Sequence, residues 1–110
     1  MNLNRGDVIL ADLPFSDRTG SKVRPGLVVQ ADVNNRRLDD VIIALITSTT
    51  HRDGIEPTQF LIDVATPEGR QSGLLHTSAI KCEHLITLHQ RLVKRVIGRL
   101  LVAAMRQIDD

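Results

Sequence analysis

Aromatic side chains are almost missing from this chain: Phe15 and Phe60 are the only two, and tryptophan and tyrosine do not occur. A platform of rings for stacking bases, common among single-strand binders, is therefore largely unavailable. Cysteine is as scarce. Cys82 stands alone, which excludes an intramolecular disulfide and makes a reducing cytosol the natural home. No apolar run approaches the length of a membrane span, and Met1 to Asp7 hold no hydrophobic stretch of the kind a signal peptide needs. An excess of one charge is lacking too: 14 Lys+Arg face 13 Asp+Glu, a formal charge of +1. Any positive groove must come from local clustering. Repeats and low-complexity tracts are absent, and 110 residues fit one domain, residues 1–110, with a single modest core. A cytoplasmic protein with no membrane attachment is expected.

Several chemistries lack their signatures. None of His51, His76, His84 and His89 lies four residues from another, and there is no cysteine pair, so neither a metal nor any other cofactor is expected. No glycine-rich phosphate loop and no nucleophile elbow is present. Cys82 sits in an apolar segment and reads as a packed small side chain.

The most informative stretch is Val23-Arg24-Pro25-Gly26-Leu27-Val28-Val29-Gln30. Its apolar, β-branched block reads as a buried strand. Pro25 has no N–H for a ladder, so it belongs at the strand's first residue or at an edge. It also forces Arg24 into an extended conformation. A guanidinium is thus held at the mouth of a rigid strand.

Strands are predicted over Asp7–Leu13, from about Val23 to Ala31, over Val41–Ile46 as the central one buried on both faces, and over Phe60–Val64. Shorter ones are predicted from Ser72-Gly73-Leu74-Leu75, over Ala79–Cys82 and over His84–Leu88. Between them lie a loop from Ser16 to Lys22, a helical turn capped by Asp32, a loop from His51 to Pro57, and a turn through Pro67-Glu68-Gly69. Many short strands with turn signals between them indicate a small sandwich or barrel. At the C-terminus two readings compete. Leu92, Val96, Leu100 and Ala104 recur every four residues, as one helix from Arg91 to Ile108 requires. Gly98 opposes it, leaving a strand that ends near Gly98-Arg99-Leu100 and a helix from Leu101 to Ile108.

Arg24 opens one strand and Thr47-Ser48 closes another. Antiparallel neighbours would bring these ends together. A planar fork of donors beside a hydroxyl suits a phosphodiester. Such a site could cleave RNA without a metal, because the ribose 2′-OH is a nucleophile already in place.

These residues resemble the MazF/PemK family of toxin endoribonucleases. The likeness is carried by Arg5-Gly6-Asp7-Val8, Val23-Arg24-Pro25-Gly26-Leu27-Val28-Val29, Asn34-Asn35, Ile46-Thr47-Ser48, Ser72-Gly73-Leu74, and Ile86-Thr87-Leu88 with Gly98-Arg99-Leu100, in that order. The resemblance implies an α+β fold, mainly β: a small SH3-like twisted barrel of about seven short strands with a C-terminal helix. It favours strand then short helix at the C-terminus. It implies a homodimer that cleaves single-stranded RNA, such as mRNA, at short sequences, leaving 2′,3′-cyclic phosphate and 5′-OH ends without metal. A cognate antitoxin would neutralise it by laying a flexible acidic tail over the site. The catalytic residues implied are Arg24 and Thr47. The loops from Ser16 and from His51 would border the RNA groove, so Arg18, Lys22, Ser48, Thr49 and Arg52 are expected RNA contacts. Two other readings stay open: a gyrase poison of the CcdB type, similar in fold but acting through its C-terminal helix, and an inactive relative that only binds an antitoxin.

Overall fold

The computed structural model describes residues 2–13, 22–48, 57–100 and 102–109. Strand β1 spans Asp7–Leu13, as predicted. It begins directly after Gly6, whose φ of +96° suits a residue without a Cβ. Asp7, almost fully buried, ties down this entry: its carboxylate accepts from the Asn4 N–H at 2.8 Å and from Arg99 Nε at 3.4 Å.

Strand β2, Lys22–Val28, runs antiparallel to β1, with Val8 opposite Leu27 and Ala11 opposite Arg24. It stops short of the predicted Ala31. The chain turns there because the buried Gln30 side chain donates to Asn35 Oδ1 and to the Asp40 carbonyl, both at 2.9 Å, while Asn35 donates back to the Gln30 carbonyl at 3.0 Å. This closed set fixes helix α1, Asp32–Arg37. Asp32 is not its cap, as the sequence suggested. It is the first helical residue after Ala31, and its carboxylate instead accepts the Arg5 N–H at 2.6 Å.

Strand β3, Asp40–Ser48, lies in the middle of the sheet and is buried on both faces, as its composition required. Ile43 and Leu45 pack in one apolar cluster with Leu3, Ile9, Leu13 and Val28; Ala44 and Ile46 pack in a second with Val8, Leu27 and Ile80. The alternation follows from the period of two along a strand. Each fully buried aliphatic side chain contributes about 1.5–3 kcal/mol.

Strand β4, Gln59–Ile62, leads to helix α2, Pro67–Gln71, where a turn was expected. Thr66 caps α2 by accepting the Gly69 N–H at 3.1 Å, and Pro67 sits in its first turn, where a missing N–H does no harm. The expected strand at Ser72–Leu75 is absent. Gly73 has φ +75°, outside the extended range of a regular strand, and the segment is turn and bend. The two short strands predicted next are one, β5, Ser78–His89, with a register shift opposite Ala44/Leu45. After a 3-10 turn at Gln90–Leu92 come β6, Val93–Arg99, and α3, Val102–Asp109. Strand then short helix is therefore correct, against the four-residue periodicity.

All observed pairings are antiparallel, in the order β4-β5-β3-β2-β1-β6. This is a mainly β, α+β fold. It is not a closed barrel of seven strands but, among the described residues, an open sheet of six, with β4 and β6 as edges. Register shifts between β1 and β6 at two points bend the edge. The sheet curls far enough for Leu88 of β5 and Val93 of β6 to share one cluster, without its edges pairing. No helix among the described residues is long and apolar enough to cross a membrane.

Candidate functional site

Strands β2 and β3 pair only over Gly26–Leu45, Leu27–Ala44 and Val28–Ile43, with the Val29 N–H donating to the Ile42 carbonyl at 3.1 Å. In an antiparallel pair every second residue faces a given neighbour. Since Val29 faces β3, so do Leu27 and Pro25. The N–H that Pro25 lacks is thus the one that would have bonded Ile46. The ladder ends at this proline and the two strands part. Arg24 and Thr47 lie beyond the last residues paired between β2 and β3, on the ends where these two strands are unpaired with each other.

A cavity of about 660 Å³ lies at this opening, within the usual range for a ligand site. Arg24, Pro25, Ile46, Thr47 and Ser48 line it from the parted strands; Leu10, Arg95, Val96 and Ile97 line it from β1 and β6. The segment Gly73–His76 and Ser78 complete the wall. Consecutive residues of β2 and of β3 contribute, so the cavity takes backbone as well as side-chain surface at the strand ends. Arg24 is half-buried, with its Nε buried completely. The lining carries two guanidinium groups, one imidazole and the hydroxyls of Thr47, Ser48 and Ser78, and none of its described residues is a carboxylate. Donors and positive charge without acid select an anion.

The Gly73–His76 wall is held from three sides. Ser72, fully buried, donates from Oγ to the Gly69 carbonyl and accepts the Leu74 N–H at 3.2 Å. Ser78 Oγ donates to the His76 carbonyl at 2.7 Å. Gly73 and Gly98 meet backbone to backbone: a Cβ on Gly73 would fall 1.9 Å from the Ile97 carbonyl oxygen, and one on Gly98 2.3 Å from that of Ser72.

Residues 4–110 match the model of the PemK-like, MazF-like toxins of type II toxin–antitoxin systems. The chain belongs to that family. Solved structures agree in fold. An endoribonuclease in complex with its cognate antitoxin, from a mycobacterial species, superposes with TM-score 0.73 at 22% identity over 97% of this chain and 87% of its own. The Mycobacterium tuberculosis toxin MazF-mt6 gives 0.72 at 24% over 94% and 88%. A MazE–MazF structure from Deinococcus radiodurans gives 0.70 at 14% over 98% and 88%.

For a MazF-like toxin, the motifs divide into two kinds. Arg5-Gly6-Asp7-Val8, Asn35, Ser72-Gly73-Leu74 and Gly98-Arg99-Leu100 build the frame: they turn the chain into β1, close the β2–β3 connection and seat the cavity wall on β6. Arg24-Pro25 and Thr47-Ser48 line the cavity. Of the other expected RNA contacts, Arg18, Thr49 and Arg52 lie outside the described residues, as do the side chain of Lys22 and most of the two loops. Sequence reasoning missed His76, Ser78 and Arg95. The signal for Arg95 existed only in the register, where Leu10 pairs with both Arg95 and Pro25.

Proposed function

We propose that this chain is a sequence-specific endoribonuclease toxin that cleaves single-stranded RNA in the cavity between Arg24 and Thr47. The observation that supports the reading is that these two residues, 23 positions apart in sequence, line one cavity whose described residues include no carboxylate. Arg24 clamps the scissile phosphate through its fork of donors, and Thr47 adds a hydrogen bond from its hydroxyl. The 2′-oxygen attacks the adjacent phosphorus. A bond forms from O2′ to phosphorus, the bond to O5′ breaks, and the ends are a 2′,3′-cyclic phosphate and a 5′-OH. The proton leaving O2′ needs an acceptor. Among the described lining residues only His76 carries a side chain of the general-base type, and we assign it that role. O5′ is protonated by Arg24 or by water. The nucleophile belongs to the substrate, so the reaction needs no metal, and DNA survives.

The antitoxin-bound relatives support a cognate antitoxin here, whose acidic tail would occupy the same cavity, and the reading includes a homodimer. The decisive test incubates the purified protein with a long single-stranded transcript in EDTA and maps fragment ends. Discrete fragments with 5′-OH ends are expected. Arg24→Ala should lose about 10³-fold or more in rate, and Thr47→Val about 10²-fold or more. Intact RNA with the wild-type protein, or growth arrest that persists in Arg24→Ala, would overturn the assignment in favour of a protein-binding poison.

A further inference from the structure

The cavity is bounded along β6 at Ile97. The backbone of Gln71 and Ser72 lies against Gly98, and that of Ile97 against Gly73, too close for a Cβ on either glycine. Two arginines line the cavity on the near side of this seam, Arg24 and Arg95. They belong to strands on either side of β1. Leu10 of β1 is opposite Pro25 on β2 and opposite Arg95 on β6, and all three line the cavity. Arg24 precedes Pro25, and two strand spacings, about 10 Å, separate its backbone from that of Arg95. A shift in the β1–β6 register puts Arg95 there. Ala11 is opposite Val93, and an unbroken antiparallel ladder would next set Lys94 opposite Leu10. The register slips by one residue at this point, so Arg95 takes the position. Lys94 pairs instead with Asp12 at 3.0 Å. Bulges of this kind re-aim side chains beside active sites. Arg99, the next cation on β6, is held by Asp7. Arg95 is exposed and has no hydrogen bond or ion pair with any described residue.

We propose that Arg95 binds the phosphate next to the scissile one, so that the cavity takes two consecutive phosphates of one RNA strand. The inference rests on reading the cavity as the cleavage site and adds to it a second phosphate contact. The chemistry repeats that of Arg24: a planar fork of donors matched to the free oxygens of a phosphodiester. Two arginine side chains rooted that far apart can span neighbouring phosphates. Two anchors one nucleotide apart fix the register and orientation of the strand, where a single clamp would let it pivot. This suits a chain with two phenylalanines and a net charge of +1, which has little stacking surface and little long-range attraction with which to hold RNA. RNA is favoured over an acidic peptide because Arg95 stands in the cavity that holds Arg24 and Thr47, through which the neighbour of the scissile phosphate has to pass.

The test uses the full-length protein and a short single strand selected for binding, with 2′-fluoro in place of every 2′-OH so that affinity is read without cleavage. Its phosphates are replaced one at a time by neutral methylphosphonate. Arg95 is replaced by Ala and by Lys. In the wild type, neutralising either of two consecutive phosphates should weaken binding about 10-fold, the loss of one charge-assisted contact. In Arg95→Ala one of those two losses should vanish, and the unmodified strand should bind about 10-fold more weakly. The slope of log affinity against log salt should flatten by about 0.7 in Arg95→Ala, the share of one phosphate in a single strand, and Arg95→Lys should restore it. An unchanged slope in Arg95→Ala overturns the proposal. So does the survival of both methylphosphonate losses in that variant, or an unchanged RNA affinity with weakened binding of a polyglutamate peptide, which would make Arg95 a protein contact. Failure to bind any strand overturns both the subsite and the cleavage reading. Cleavage is measured apart, on the all-ribose strand. Cutting that is accompanied by an unchanged slope strikes the subsite alone, and the expected binding pattern without cutting strikes the cleavage reading alone.

Discussion

Three glycines allow the price of a backbone conformation to be separated from the price of lost space. Gly6 has φ +96°, but a Cβ there would meet nothing closer than 3.4 Å. Gly98 is outside the left-handed region, yet its Cβ would come within 2.3 Å of the Gln71 and Ser72 carbonyl oxygens. Gly73 has both problems, with φ +75° and a carbonyl oxygen 1.9 Å from the added carbon. Alanine in a left-handed conformation costs about 1–2 kcal/mol, so Gly6→Ala should lose that much. Overpacking costs about 1–3 kcal/mol, and backbone atoms cannot rotate aside, so Gly98→Ala belongs at the upper end of that range. Gly73→Ala combines the two, about 3–5 kcal/mol, much of the 5–15 kcal/mol typical of a domain. Urea unfolding at constant slope reads this directly. With a slope of about 1.5 kcal/mol per molar, the midpoint falls by about 1 M for Gly6→Ala and by about 2–3 M for Gly73→Ala. Equal midpoints for those two variants would refute the reasoning, because the seam between the cavity wall and β6 would then yield freely.

Other outcomes follow from the polar contacts. Asn35→Ala removes a partner of Gln30 and releases the carbonyl at the end of β2, and should lower stability by about 1–3 kcal/mol in the same assay. Asp7→Ala strands the Asn4 N–H and should lose a similar amount, about 1–3 kcal/mol, with Asp7→Asn losing less. The Gln59 side chain, donating to Glu83 at 2.9 Å, holds that carboxyl below its usual range. Because the folded value is depressed, its contribution is present above the ordinary carboxylate pKa and is lost as pH falls through the folded one. Gln59→Ala should therefore raise the Glu83 value in an NMR titration, and at this fully exposed site leave thermal stability unchanged. His76→Gln should lower kcat by about 10²-fold or more with little change in KM; an unchanged kcat removes His76 as the proton acceptor.

Strands framed by turn residues or apolar throughout were legible in the sequence. Asp7–Leu13 was found at its predicted bounds because a glycine, a buried face and Pro14 frame it. Val41–Ile46 was legible as the centre because only a strand covered on both faces is apolar without interruption. What failed was local signal overridden by tertiary contact. Ser72-Gly73-Leu74-Leu75 has the composition of a short strand, but its backbone is pressed against that of Ile97-Gly98, which no pattern of residues announces. Helix α2 was missed for a different reason: Thr66-Pro67 was a start signal read as a turn. Closure of the sheet depends on whether two distant edges meet, and the period of a strand is silent on that. The same division holds at the site. Arg24 and Thr47 could be placed at strand ends from Pro25 and from the run of hydroxyls. Arg95 and His76 reach the cavity only through a bent β1–β6 register and a pinned turn.

Pro25 makes stability and access antagonists in this molecule. Valine there could donate to the Ile46 carbonyl and zip the two strands toward their ends, so a search for tougher variants would select it early. The gain would narrow the cavity that Arg24 and Thr47 line. On the function proposed above, a hardened form of this protein would be a less active one, and its opening is preserved by a nitrogen that has nothing to give.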